Sequence, residues 1–206
     1  MTSFMLVAGW SSLGITVLSY IPYIAAIFKG RATPHAFSWF SWGFVGSVAF
    51  FGQHVAGAGP GAWASGMTAF FCSLIFVLAL FKGEKHITRL DVLMFGVGIT
   101  ALVLWAFTNN PTASVVLATL GNVFGGHGPT LRKVWGNPWG ENLAAYALGV
   151  PKWGLAILGL EAVTFTTLFY PVAILLANVT TSTVIWVRRA QMRKASLSSP
   201  RTNTQS

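Results

Sequence analysis

Acidic side chains are nearly missing from this sequence: four Asp and Glu stand among 206 residues, against thirteen Lys and Arg. That scarcity leaves no paired carboxylates for general acid–base chemistry and no cluster of metal ligands, so no enzyme, metal site or cofactor is expected. All charged residues together make up 8% of the chain, where a soluble domain carries about a quarter. So few charges cannot cover a water-facing surface. Cysteine is down to Cys72, inside an apolar run, which excludes an internal disulfide. Glycine is plentiful, but the stretches 57–61 and 125–128 lack the strand–loop–helix context of phosphate binding. Met1-Thr2-Ser3 has no positive charge and the apolar run behind it is too long for a cleavable signal, so it reads as a first span.

What the chain has instead is long apolar runs: 54% of its residues are hydrophobic and the mean hydropathy is +0.64. A membrane-crossing helix needs about 20 such residues. Runs near 4–28, 37–55, 62–81, 92–107, 112–131, 142–160 and 165–187 predict seven spans and leave no room for a separate soluble domain. The fourth is short, and 125–128 interrupt the fifth. The positions of the basic residues support the count. Lys29 and Arg31, then Lys82, Lys85 and Arg89, then Arg132 and Lys133, then Arg188, Arg189, Arg193, Lys194 and Arg201 all fall on one side. Lysine and arginine in short loops mark the cytoplasmic face, so the N-terminus is expected outside and the C-terminus inside. The same clustering argues against nucleic acid as the partner of the +9 net charge. The polar, basic tail 189–206 is expected to be disordered.

Spans one to three and five to seven share a layout. Each set opens with a span holding a proline towards the basic side, Pro22 or Pro129, and crosses a basic loop holding a second, Pro34 or Pro138. Each then starts a helix rich in Trp or Tyr. The expected fold is therefore all-α, with seven transmembrane helices as two parallel three-helix repeats, 1–81 and 112–188, joined by a linker helix in 82–111. Tyr20-Ile21-Pro22-Tyr23-Ile24, Lys29-Gly30-Arg31 and Pro34-His35-Ala36-Phe37-Ser38-Trp39 carry a family resemblance. With Gly128-Pro129-Thr130-Leu131-Arg132-Lys133-Val134 and Glu141, this pattern resembles the PQ-loop element of the SWEET, SemiSWEET and PQ-loop transporter superfamily, closest to a bacterial branch. Tyr23 and Thr130 stand where the family has its glutamine. The resemblance implies a 3+1+3 bundle whose prolines Pro22, Pro34, Pro129 and Pro138 hinge the inner gate. It also implies that Asn178 binds substrate, with Cys72 at the matching position of the first repeat. The competing reading of the prolines is ordinary punctuation at helix ends.

Polar residues at depth are expensive and usually face a bundle interior. Asn178 and Asn122 are carboxamides at depth, suited to a neutral solute or to an interhelical hydrogen bond. Lys152 lies inside span six with no acid at its level; it reads as snorkelling, as a neutral amine, or as the counter-charge of an anionic substrate group. Trp42 and Trp39 read as interfacial or lipid-facing aromatics or as the lining of an inner vestibule, His127 reads more as a packed histidine than a ligand, and Gln53 and His54 are expected to reach water. Trp135, Trp139 and Trp186 read as interfacial aromatics.

These residues predict a facilitative transporter for a small polar solute such as a sugar, amino acid or vitamin, in a bacterial cytoplasmic (inner) membrane. Its partners would be that solute and the lipid bilayer, and a homo-oligomer is compatible with this reading. Two alternatives stay open: a seven-helix receptor or chromophore-binding protein, for which Lys152 would sit on an unusual helix, and a small subunit of a membrane complex.

Overall fold

The computed structural model describes residues 2–83, 87 and 89–198, so the expectations placed on Lys85, Arg201 and the end of the tail lie outside the described residues. The regular structure among the described residues is helical. Helix α1 spans Ser3–Phe28, α2 Ala36–Val55, α3 Trp63–Lys82 and α4 Arg89–Thr108. Helices α5 (Pro111–Asn122) and α6 (Gly128–Gly136) run into one another through a π-helical turn at Val123–His127. Helix α7 covers Leu143–Leu158 and α8 covers Phe165–Ser198.

The starts of these helices follow from local chemistry. The side chains of Thr2, His35, Asn110 and Asn142 each accept a hydrogen bond from a backbone N–H of the first turn behind them. Hydroxyls inside the apolar helices satisfy themselves on the preceding turn: Thr16 donates to the Ser12 carbonyl at 2.8 Å and Ser73 to Ala69 at 2.9 Å. That device suits an environment without water.

Three helical stretches are long and apolar enough to cross a bilayer, namely Ser3–Phe28, Gly59–Lys82 and Phe165–Ala195, which fits a membrane protein. The outer surface agrees, since Phe107 and Phe81 stand 86% and 82% exposed amid other large apolar side chains. Where helices meet, small residues let the backbones approach: Ala49, Ala64 and Ala156 are fully buried around Trp153 and Tyr170. Helix α3 packs on both α1 and α2, and α8 packs on α5, α6 and α7. Helix α1 meets α7, α2 meets α5, and α4 lies against α2 and α5.

Two expectations are corrected. Residues 189–198, expected as disordered tail, continue α8 as helix to Ser198. The arginines at its base anchor it: Arg189 donates to the Pro138 and Glu141 carbonyls at 3.0 and 2.8 Å, and Arg188 to that of Trp135 at 3.0 Å. Arg189 and Arg193 also cover the Trp139 ring. Gln53, expected at water, is fully buried and donates to the Thr167 carbonyl at 3.3 Å, tying α2 to the first turn of α8.

At the end away from the basic residues, the loops behind α2 and α7 clasp each other. Glu161 and Ala162 donate their backbone N–H groups to the carbonyls of Ala58 and Gly57, both at 3.0 Å. Gly57 has φ +80, a conformation a side chain resists. Beneath the clasp, Gly61 and Gly159 meet so closely that a Cβ on Gly61 would lie 2.7 Å from the Ala156 carbonyl oxygen.

Candidate functional site

Between these packed helices lies a cavity of about 720 Å³. Its walls follow helical periodicity. Helix α1 contributes Ser19, Pro22, Tyr23 and Ala26, α3 contributes Thr68 and Cys72, and α8 contributes Tyr170, Ile174 and Asn178. Residues three and four apart share a helix face, so each of these sets is one stripe. Trp39 and Trp42 come from α2, Asn122 from α5, and Tyr146, Gly149 and Lys152 from α7. No described α4 residue lines it. The cavity reaches Thr130 and Glu141 at the basic end, and towards the clasped loops its lining ends at Thr68, Lys152, Trp153 and Tyr170.

The deep part is built around Lys152, which is 7% exposed. Its Nζ donates to Thr68 Oγ1 at 2.8 Å and lies 4.5 Å from the Trp153 ring centroid. The Thr68 hydroxyl gives its own hydrogen to the Ala64 carbonyl at 2.7 Å, so it meets the lysine as an acceptor. The Tyr20 hydroxyl sits 3.6 Å from Cys72 Sγ, and the Tyr20 ring stacks on Phe71. Trp153 and Tyr170 stand edge to face. A cation over aromatic faces is attracted by the ring quadrupole, so the Trp153 ring offsets part of the cost of burying a positive charge here.

Asn178 lies one helix away. Its Nδ2 donates to the Ile174 carbonyl at 2.8 Å, and its carboxamide rests against Gly149, where a Cβ would overlap it. At the mouth, Glu141 accepts from Lys133 at 2.8 Å and from the Tyr146 hydroxyl at 3.2 Å. His127 faces the cavity beside the Tyr146 ring.

The structure thus brings Asn178, Asn122, Lys152, Cys72 and Trp42 to one cavity, with Pro22 in its wall. Tyr23 and Thr130, the residues at the glutamine positions of the resemblance, line it as well. Pro22 lies inside α1, which runs on as helix past it, whereas Pro34 lies two residues ahead of α2 and Pro138 opens a short 3-10 turn before α7. Pro129 follows the π-helical turn as the second residue of α6. Sequence reasoning missed Thr68, Trp153 and Tyr170. The four-residue step from Thr68 to Cys72 and the eight-residue step from Tyr170 to Asn178 were the signals available.

No protein-family model, curated protein or solved structure matches this chain.

Proposed function

We propose that the chain is a membrane transporter that carries a small solute by opening its central cavity alternately to either side. The observation that carries this reading is the cavity itself: it runs from the basic end to a buried lysine and stops short of the two clasped loops. Such a shape is one end state of an exchanger of access, with the side of the basic loops, the proposed cytoplasmic side, open. The packing supports a 3+1+3 arrangement. Helix α3 sits against α1 and α2 as α8 sits against α5–α6 and α7, and the contacts α1 to α7 and α2 to α5 exchange under a two-fold rotation. The composite of α5, the π-helical turn and α6, with 12, 5 and 9 residues, matches the 26 of α1. Pro22 is the twentieth residue of α1 and Pro129 the nineteenth of the composite. This is the parallel-repeat pattern of the SWEET-like superfamily that the sequence resembles. The chromophore-binding alternative needs a carboxylate counter-ion for Lys152, and none pairs with it among the described residues.

Side-specific access to Cys72 tests the reading without a known solute. In vesicles of defined orientation, an impermeant methanethiosulfonate should modify Cys72 quickly from the basic side and slowly from the other, through excursions to the opposite state. Modification from one side only, whatever solute is present, would leave a binding protein rather than a carrier.

A further inference from the structure

We infer that the solute is a small organic monoanion, a carboxylate with a flat apolar body, bound with its carboxylate on Lys152. The inference rests on the reading of the cavity as the solute site. A lysine ammonium has three N–H donors. Thr68 takes one, at 2.8 Å, and no acidic side chain takes another among the described residues. Glu141 is held at the mouth by Lys133 and Tyr146, and Glu161 belongs to the clasp at the closed end. A buried cation with spare donors is costly until an anion arrives. The ring faces of Trp153 and Tyr20, 4.5 and 5.9 Å from Nζ, favour the charged amine without neutralising it. One cation calls for one negative charge. A dianion would leave a net charge buried.

The remaining walls select the body of the ligand. A sugar needs a partner for each hydroxyl in a site without bulk water. Here one N–H of the Asn178 amide is given to its own helix, to the Ile174 carbonyl at 2.8 Å, and around the deep lysine the lining is largely ring faces and apolar groups, among them Tyr20, Trp153, Tyr170 and Ile174. Flat apolar groups stack on such rings at no hydrogen-bond cost. An α-amino acid is disfavoured for a different reason. Its ammonium would lie beside its carboxylate, and the carboxylate of Glu141 stands at the mouth, two residues ahead of α7, whose rise from Leu143 to Lys152 is about 14 Å.

The test uses the purified full-length chain and four probes of one shape: phenylacetate, phenylacetamide, phenethylamine and phenylalanine. Calorimetric titration should find phenylacetate binding about tenfold or more tightly than the other three. Lys152→Arg should keep that preference, and Lys152→Met should erase it. Equal binding of acid and amide to the wild type overturns the inference, as does failure of phenylacetate to bind or unchanged preference in a folded Lys152→Met. If Lys152→Met does not fold, the wild-type comparison of acid with amide decides alone. Uptake into proteoliposomes separates the two claims. Phenylacetate that binds on Lys152 but is not carried sinks the transporter and keeps the anion site; uptake of a neutral solute by a protein indifferent to phenylacetate does the reverse.

Discussion

Asn178 meets its neighbours through a gap that only glycine leaves. Because a Cβ on Gly149 would overlap the carboxamide, Gly149→Ala should displace Asn178 from the Ile174 carbonyl and lower stability by about 1–3 kcal/mol, as overpacking does. Adding Asn178→Ala should recover much of that loss, since the clash disappears with the amide. Melting curves of the two single variants and the double variant measure this coupling, and strict additivity would mean the two residues do not touch. The same comparison explains what could be read from residues alone. Lys152, Asn122 and Asn178 are legible because polar groups at depth are too costly to be accidental. Thr68 is legible only through its four-residue step to Cys72, since a helix hydroxyl that bonds its own carbonyl looks the same on any face. Trp153 and Tyr170 resemble the many aromatics that face outwards, and only the fold turns them inwards.

At the scale of elements, apolar runs locate α1, α2 and α3 to within a few residues. The breaks behave differently. The glycines at 125, 126 and 128 suggest an interruption, yet the chain keeps turning through a π-helical segment, whose wider coil is a common companion of functional sites. The polar composition of 189–198 hides the length of α8, although Ala, Gln, Met, Arg and Lys are strong helix formers, and Arg188 and Arg189 tie the base of the extension to the 3-10 turn 138–140 and its flanks. Pro22, inside the continuous α1, is the proline most open to test. Replacing it with Ala returns a backbone donor to the Leu18 carbonyl and removes a ring from the helix interior. Pro22→Ala should therefore raise the melting temperature. If bending of α1 belongs to the proposed cycle, it should also slow phenylacetate uptake several-fold while leaving equilibrium binding unchanged. Faster or unaltered uptake would assign Pro22 to helix shape alone.

For the whole molecule, the closed end must part if the cavity is to open there. A Cβ on Gly57 would lie 3.4 Å from Cβ of Ala162, close to the ~3.5–4.5 Å spacing that a disulfide requires. In a Cys72→Ala background, the pair Gly57→Cys and Ala162→Cys should arrest uptake when oxidised and release it on reduction. The reduced form of the same protein controls for the strain at φ +80. Undiminished uptake with the bridge complete would mean that solute does not pass between these loops. The helical, membrane-like character of the chain follows from composition, and the distribution of lysine and arginine suggests which end is which. The clasp could not be foreseen, because its partners are main-chain atoms about a hundred residues apart. That construction has a consequence for variation. Two backbone hydrogen bonds contribute about 1 kcal/mol each, and no exchange of side chains can strengthen them. Mutation reaches this seal mainly by adding bulk where Gly61 and Gly159 now have none. Drift at Gly61 and Gly159 therefore acts in one direction, towards a looser and more often open end.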